Sequence, residues 1–425
     1  MNNSQISCSV EEASVEPLAL RLLDRIARNL VLRTLAGIQK GKLTLMDGGD
    51  RTVFGKEEDE LKATISIADS RFYGAVAYGG SIGAAEAYIQ GYWNCDDLTM
   101  VVRILAANMG VLDGMETGMA RLAAPMRKIL HRINRNTRNG SRRNIAAHYD
   151  LGNDFFQQWL DETMMYSSAV FERDDMSLRE ASEAKLERIC RKLELGPEDH
   201  VLEIGTGWGG FALHAASRYG CRVTTTTISR EQHEFAKARV IEAGLEDRVE
   251  LLLEDYRDLD GRYDKLVSIE MIEAVGHEFM DTYFDKCASL LKEDGAMLLQ
   301  AITIADQRYV GALKSVDFIQ KYIFPGGFLP SVTAIADSLT RSTDMRLFHL
   351  EDIGPHYAET LKHWREAFTS NLDRIWSMGY REEFLRMWQY YYCYCEGAFR
   401  ERAIGTVQAL LVKPGSRRAP LVPAL

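Results

Sequence analysis

Short apolar runs alternate with longer amphipathic segments over the C-terminal part of the chain. The short runs predict buried strands, whereas apolar positions three and four residues apart predict helices. The predicted strands are 200–204, 222–226, 249–253, 265–269, 296–302 and 406–412. The predicted helices are 177–195, 209–218, 230–243 and 277–291. This alternation predicts an α/β fold in which a mainly parallel sheet is covered by helices on both faces, with the last run closing the same sheet.

The pattern is different in the N-terminal part of the chain. Residues 32–55 predict a helix followed by a hairpin that turns at Gly48 and Gly49. A stretch rich in glycine and aromatic residues follows, and residues 98–112 again have helical periodicity. We therefore predict a smaller α+β N-terminal domain at 1–125, a basic linker at 126–143 and a catalytic domain at 144–425.

Composition restricts the class of protein rather than its function. The chain has 425 residues, enough for two or three domains, and a net charge of −10, which argues against general affinity for nucleic acid. No apolar run approaches the roughly 20 residues that span a bilayer, and the N-terminus has no basic-then-apolar signal. The seven cysteines form no C-x-x-C pair and no cluster of zinc-binding spacing. A reduced cytoplasmic protein without a metal is expected.

Residues 127–143 are basic, although the protein as a whole is acidic. A solvated linker is the ordinary interpretation of such a run. Apolar residues interleaved with the basic ones would also allow the segment to dock on anionic lipid. The motifs described below favour the lipid interpretation. The basic residues are Arg127, Lys128, Arg132, Arg135, Arg138, Arg142 and Arg143, with no acid among them.

The stretch VLEIGTGWGG, residues 201–210, is compatible with two kinds of nucleotide site. Gly205, Gly207 and Gly210 have the G-x-G-x-x-G spacing of a dinucleotide site. Glu203 with Gly205, Gly207 and Gly209 forms the acidic-x-G-x-G-x-G motif of S-adenosylmethionine (SAM) methyltransferases. In both, glycines allow a tight turn between a buried strand and a helix whose N-terminus meets the ligand.

The flanking residues decide for SAM. A dinucleotide site needs an acid at the end of the second strand for the ribose hydroxyls, but CRVTTTTIS ends in threonines. Glu203 suits the methionine ammonium group of SAM. Asp255 and Tyr256 follow the third strand, where a carboxylate can accept from the adenine amino group while the ring covers it. We therefore predict a class I SAM-methyltransferase (Rossmann-like) fold, with a seven-stranded sheet and helical insertions.

A set of motifs between residues 144 and 414 resembles the cyclopropane fatty acid synthase (cyclopropane-fatty-acyl-phospholipid synthase) family. They are AHYDLGNDFFQQWLDETMMYSSAVF, GWGG, TISREQ, DYRDL, EMIEAVG, YIFPGGFLPS and IGPHYAETL, in family order. The resemblance implies transfer of the SAM methyl group to the cis double bond of an unsaturated acyl chain in membrane phospholipid. Loss of a proton from the new methyl group then closes a cyclopropane ring. It also implies peripheral association with the inner face of the cell membrane, and it leaves a homodimer open.

The resemblance also assigns residues to roles. Glu273 of EMIEAVG and Tyr357 of GPHY correspond to residues that, in the family, hold a bicarbonate ion as the base. Aromatic faces stabilise a carbocation by cation–π attraction, and Tyr322, Phe324 and Tyr357 are the candidates for this role. The SAM contacts carried over by position are Tyr166, Ser167, Thr227, Gln232, Asp255 and Tyr256.

The chain departs from the family pattern around the implied anion. Many members have cysteine where this chain has Ser168, and histidine where it has Ala274. Bacterial members often have histidine in the fifth strand at the position of Gln300. Serine and glutamine can hydrogen-bond an anion, so Ser168 and Gln300 are expected to line the catalytic site, which then has no imidazole at these positions.

Four hypotheses follow from the sequence. The first is a cyclopropane synthase acting on phospholipid acyl chains. The second keeps the methyl transfer but ends in a methyl- or methylene-branched chain, because of the departures around the anion. The third is a methyltransferase of small soluble amines, against which the N-terminal domain, the basic segment and the apolar YIFPGGFLP argue. The fourth is a non-catalytic SAM- or lipid-binding protein.

Overall fold

The N-terminal unit contains a small mixed sheet covered by helices. The computed structural model describes residues 18–115, 136, 140 and 151–421. The sheet of the N-terminal unit has four strands in the order β2-β1-β3-β4. Strands β1 and β2 form the predicted hairpin, in which Asp47 pairs with Asp50 across the Gly48–Gly49 turn. The elements are α1 (Leu18–Leu35), β1 (Lys42–Asp47), β2 (Asp50–Gly55), β3 (Lys62–Ile67), α2 (Arg71–Ile89), β4 (Trp93–Cys95), α3 (Leu98–Ala107) and α4 (Met109–Met115).

The second unit is built on a seven-stranded sheet of order β10-β11-β9-β8-β5-β6-β7. Strands β5 to β9 pair in parallel, whereas β11 is antiparallel to both β9 and β10. This confirms the predicted α/β class, the seven strands and the closing strand at the C-terminus. The strands are β5 (His200–Ile204), β6 (Arg222–Thr226), β7 (Val249–Leu252), β8 (Tyr263–Ile269), β9 (Leu291–Ile304), β10 (Arg346–Asp352) and β11 (Ile404–Val412).

Helices cover both faces of this sheet. They are α5 (Asn153–Phe156), α6 (Leu178–Leu193), α7 (Gly210–Tyr219), α8 (Arg230–Glu242), α9 (Met280–Leu290), α10 (Asp306–Ala312), α11 (Val332–Ser342), α12 (Gly354–Ser370), α13 (Leu372–Ser377) and α14 (Glu382–Arg400). Alternate residues of β5 enter different cores: Leu202 and Ile204 pack towards α9, and Val201 packs towards α6 and α7. Helix α6 begins with the predicted capping box of Ser177 and Glu180.

Strand β10, helix α9 and strand β9 differ from the sequence prediction. Strand β10 was not predicted, because as the edge strand it is largely exposed and has no continuous apolar run. The helix predicted at 277–291 starts as a 3-10 turn at His277–Phe279, and α9 ends at Leu290 because β9 begins at Leu291, earlier than predicted. The predicted domain boundaries near residues 125 and 143 lie outside the described residues, as does most of the basic segment.

The N-terminal unit and the helices α12 and α14 share one apolar core. Arg386 of α14 donates to the carbonyl oxygens of Tyr88 at 2.6 Å and Trp93 at 3.1 Å. A Cβ atom added at Gly397 of α14 would lie 2.7 Å from Cγ1 of Val102. The close approach of α14 to α3 therefore depends on a residue without a side chain.

In the described part of the chain, no single helix is long and apolar enough to cross a membrane; only α3 and α4 together, bent by 95°, pass that test by length and composition.

The Gly397 contact yields a prediction about stability. Gly397→Ala places a methyl group against the rigid branched side chain of Val102, so we expect a loss of about 1–3 kcal/mol of unfolding free energy from overpacking. Gly110→Ala in α4 is the matched control, because its added Cβ meets nothing within 4 Å. Thermal or urea unfolding of both variants measures the difference. An unchanged Gly397→Ala would contradict the packing described for α3 and α14.

Candidate active site

A glycine turn connects β5 to α7 at the point where the order of the parallel strands reverses. Gly205, Gly207 and Gly209 all have positive φ, at 103°, 52° and 86°, a region that glycine enters without steric cost. A Cβ at Gly205 would lie 3.3 Å from Cγ of Met271, whereas one at Gly207 would meet nothing within 4 Å. Ligands of doubly wound sheets bind at this switch point, so the turn lies where the sequence predicts the SAM site.

Glu203 is buried immediately before this turn. The residue is only 3% exposed, and its Oε2 accepts a hydrogen bond of 2.7 Å from Oγ1 of Thr225. Burial raises the pKa of Glu203 to about 8, with the charge of Lys185 acting in the opposite direction. A cationic ligand at this carboxylate would favour its ionised form. This electrostatic setting suits the positively charged amino and sulfonium groups of SAM.

The other predicted SAM contacts on β6 and β7 lie at the same edge of the sheet. Thr227 follows β6, and its Oγ1 donates to Oε1 of Gln232 at 3.0 Å. Asp255 follows β7 and accepts from Nε and Nη2 of Arg257 at 2.8 and 2.6 Å. The ring of Tyr256 is half-buried beside it. The C-terminal ends of β5, β6 and β7 therefore bring together the residues predicted for the methionine and adenosine parts of SAM.

The segment before α6 brings Tyr166 and Ser167 close to the glycine turn. A Cβ at Gly210 would lie 2.5 Å from Sδ of Met165, so this segment packs directly against the start of α7. Oγ of Ser167 accepts a 2.7 Å hydrogen bond from Nζ of Lys185, which is fully buried. Burial lowers the pKa of Lys185 to about 8 against the attraction of Glu270. Sequence reasoning missed Lys185, because it lies in an ordinary charged helical pattern.

Three of the predicted catalytic residues converge on a carboxylate that sequence reasoning passed over. Glu270 follows β8, and its Oε1 accepts from the backbone N–H of Ser168 at 2.9 Å and from Nε2 of Gln300 at 2.8 Å. Its Oε2 accepts from the hydroxyl of Tyr357 at 2.7 Å. The motif EMIEAVG contains both acids directly after this strand, so Glu270 could have been recognised as a second candidate beside Glu273.

The side chains of Ser168 and Gln300 are used differently. The Ser168 hydroxyl donates to the carbonyl of Ala169 at 3.0 Å, so this residue serves the cluster through its N–H rather than the hydroxyl expected from the sequence. Gln300 donates its amide to the carboxylate of Glu270, and the Oε1 atom of Gln300 accepts from Nε2 of Gln408 at 3.0 Å. Nζ of Lys192 in turn donates to Oε1 of Gln408 at 2.7 Å. This chain of donors fixes which end of Gln300 faces Glu270.

Glu273 lies close to Glu270 but has fewer partners. Its Oε1 accepts from the backbone N–H of Ile302 at 2.5 Å, whereas Oε2 is buried with no hydrogen-bond partner among the described residues. Burial and the nearby charge of Glu270 raise the pKa of Glu273 to about 8. Of two neighbouring acids with unequal numbers of hydrogen-bond donors, the one with more donors ionises more readily, which here is Glu270.

Tyr357, which donates to Glu270, belongs to a connected group of aromatic rings. The ring centroid of Tyr166 lies 5.3 Å from that of Trp364 and 6.1 Å from that of Phe324. Tyr357 stacks on Phe399 at 4.6 Å. Predicted carbocation-stabilising residues Phe324 and Tyr357 are thus both part of this aromatic group, next to a predicted SAM contact.

Tyr322 has a different environment. Its hydroxyl donates to Oε1 of Glu86 in α2 at 2.6 Å, and its ring lies 5.6 Å from that of Phe318. These contacts connect it to the N-terminal unit rather than to the donors around Glu270. A catalytic role for Tyr322 stays a prediction.

Comparisons with known proteins agree with this geometry. The sequence family described as Mycolic acid cyclopropane synthetase matches residues 136–409. The cyclopropane synthase MmaA2 of Mycobacterium tuberculosis is 31% identical to the chain and superposes with a TM-score of 0.60, covering 64% of this chain and 98% of that one. Mycolic acid cyclopropane synthase CmaA1, solved with SAH and CTAB, is 33% identical over the same shares, also with a TM-score of 0.60.

Two curated relatives cover more of the chain. Tuberculostearic acid methyltransferase UfaA1 of Mycobacterium tuberculosis is 37% identical over 95% of this chain and 92% of its own length. The cyclopropane-fatty-acyl-phospholipid synthase of Escherichia coli is 40% identical over 80% of this chain and 86% of its own length. Both relatives are lipid-modifying enzymes by name, but they are named for different products.

Fold, glycine turn and comparisons define a SAM-dependent methyltransferase, with SAM as its cofactor. The chain belongs to the mycolic acid cyclopropane synthetase family, which confirms the resemblance found in its motifs. The homologues are cyclopropane synthases and methyltransferases that act on lipids. The individual site residues stay predictions, with the placements described above.

Glu203 yields a prediction with a defined pH dependence. An acid with an ordinary pKa of 4.5 when unfolded and about 8 when folded costs nothing at low pH, and its cost grows as the pH rises through that window. Glu203→Gln in the ligand-free protein should therefore gain stability over the wild type between pH 5 and pH 8. Its affinity for SAM should fall about 10-fold or more, because a charged partner is lost.

Thermal unfolding at several pH values and calorimetric titration with SAM measure both effects. Glu246→Gln, on an exposed turn, is the control and should change neither. A Glu203→Gln protein that binds SAM as tightly as the wild type would contradict the placement of the ligand.

Proposed function

We propose that the protein transfers the methyl group of SAM to a carbon of the cis double bond of an unsaturated acyl chain in membrane phospholipid, at the inner face of the cell membrane. The observation that carries this proposal is the half-buried pair Glu270 and Glu273. Tyr357, which donates to Glu270, belongs to a group of aromatic rings that includes Tyr166, a predicted SAM contact. Methylation of an amine uses a lone pair and forms no carbocation, so it needs no anion to stabilise one. Methylation of an alkene leaves a carbocation, which a nearby carboxylate can stabilise.

The reaction begins with an acceptor that is a poor nucleophile. Holding the double bond in line with the sulfonium methyl in a site without water supplies much of the catalysis. The π electron pair forms the new C–C bond as the S–CH3 bond breaks with its electrons on sulfur, which leaves a carbocation on the adjacent chain carbon. Phe324, Tyr357 and the carboxylates offer negative charge and ring faces to that cation.

The product depends on which C–H electron pair quenches the cation. If a proton leaves the new methyl group directly, that pair closes a cyclopropane ring. If a hydride first moves from the methylated carbon, proton loss gives a methylene branch. We favour the branched product, because the donors expected to hold a free anion are used by Glu270, and because the relative covering 95% of the chain is named as a methyltransferase.

Membrane contact is a second part of the proposal. The acyl chain belongs to a lipid, so the protein must meet a bilayer surface, and the basic run at 127–143 supplies positive charge for anionic headgroups. The run lies almost wholly outside the described residues. It is proposed here as the peripheral membrane contact on its sequence alone.

The product experiment tests the proposed function. The purified protein is incubated with SAM carrying a heavy-isotope methyl group and vesicles of cis-unsaturated phospholipid, and the released fatty acids are examined by mass spectrometry and proton NMR. We expect label in the acyl chain without the strongly upfield ring-methylene signal. That signal would instead establish ring closure. A saturated phospholipid is the control and should take up no label. If the unsaturated lipid takes up no label either, the proposal is contradicted.

Glu273 provides a mutational prediction. Its unpartnered Oε2 is the carboxylate oxygen left free for a proton or a developing cation. Glu273→Gln should bind SAM normally by calorimetry but lose turnover by about 100-fold or more, because the site loses a carboxyl group that faces the developing cation. Glu278→Gln, the same exchange at an exposed position nearby, is the matched control. Equal loss of SAM binding and turnover in Glu273→Gln would argue against a role in the chemical step.

A further inference from the structure

The donors that would hold a free bicarbonate ion are already used. The family resemblance implies such an ion against Glu273, Tyr357 and neighbouring polar groups. In the structure, the Tyr357 hydroxyl, the Gln300 amide and the Ser168 N–H all donate to the carboxylate of Glu270. A second anion would compete for these donors and would lie against the charged carboxylate of Glu270, where like charges repel. Bicarbonate therefore does not fit these residues.

The backbone at Glu270 gives an independent indication that its side chain is needed. Its φ is 49°, in the left-handed region that is unfavourable for residues with a Cβ atom and easy for glycine. Strained residues of this kind persist where surrounding structure holds them, and they cluster at functional sites. The chain keeps a glutamate at a position whose backbone favours glycine.

Glu270 lies close to the residues proposed to bind SAM. The next residue, Met271, packs against Gly205 of the SAM turn, and the backbone N–H of Glu270 donates to the carbonyl of Gln300 at 2.8 Å. Burial raises the pKa of Glu270, while its three donors and the charge of Lys185 act against that rise. The group is therefore a half-buried, hydrogen-bonded carboxylate next to the proposed cofactor site.

We propose that the carboxylate of Glu270 is a built-in replacement for the free anion, so that this protein methylates its substrate without bicarbonate. The inference rests on the proposed function. After methyl transfer, Glu270 takes the proton from carbon, and the C–H electron pair moves to the cationic carbon. The neutral thioether product has already left with the S–C electrons, and the proton on Glu270 later passes to solvent. No other reactant is required.

The decisive variant is Glu270→Gly, which removes the carboxylate, frees the three donors and suits the backbone. We expect it to fold and bind SAM, to lose about 100-fold or more of its rate in carbonate-free buffer, and to recover rate when bicarbonate is added. The wild type should keep its rate without bicarbonate. Glu194→Gly is the matched control, because Glu194 also has a positive φ, of 56°, at the end of α6. Its behaviour should be that of the wild type.

A second variant and a second readout separate the possible failures. Glu270→Gln keeps the side-chain volume but has no carboxylate, so it should be slow with or without bicarbonate. Binding of ¹³C-labelled bicarbonate, followed by NMR without lipid, should be seen for Glu270→Gly and absent for the wild type.

Three results would overturn the inference: a wild type that loses its rate without bicarbonate, a wild type that binds the ion, or an active Glu270→Gly in carbonate-free buffer. If the wild type methylates no lipid, the proposed function fails, and the binding experiment still tests Glu270.

Discussion

Three segments distant in sequence meet at the carboxylate of Glu270. The loop before α6 supplies the N–H of Ser168, β9 supplies the amide of Gln300, and α12 supplies the hydroxyl of Tyr357. A buried carboxylate without such donors would be costly. The hydrogen bonds therefore connect the sheet, the helical layer and the loop predicted to contact the cofactor, and a shift of any one of them would leave a charged group with fewer hydrogen bonds.

The unusual end of the sheet also contributes to this arrangement. Strand β11 runs antiparallel beside β9, and its pairing places Gln408 directly across from Gln300. Lys192 of α6 donates to Gln408. An ion pair with Glu351 of β10, at 2.5 Å, keeps the Lys192 ammonium group in this position. The last two strands of the chain, β10 and β11, thus help to orient the amide that faces Glu270. They have a role in the site as well as in closing the core.

The sequence was informative where a local pattern determines structure. The predicted bounds of β5 and β6 agree with the structure to the residue, and the glycine motif located the turn between β5 and α7. Strand β10 was missed because its residues alternate without a buried run. Glu270 and Lys185 were missed for another reason: their significance lies in contacts with residues such as Ser168, 102 positions from Glu270, which no local pattern reveals. Local sequence also gave no indication that the Tyr322 hydroxyl contacts Glu86. It therefore placed Tyr322 with Phe324 among the candidates for carbocation stabilisation.

The central claim is that the chain carries its own anion at the position where a free one is implied. A crystal structure of the wild-type protein with SAM, grown in the presence of bicarbonate, tests this most directly. The account predicts density for the Glu270 carboxylate within hydrogen-bond distance of Tyr357, Gln300 and the Ser168 N–H, with the SAM methyl group facing the same cavity. A separate planar anion on these three donors, with Glu270 turned away, would contradict it.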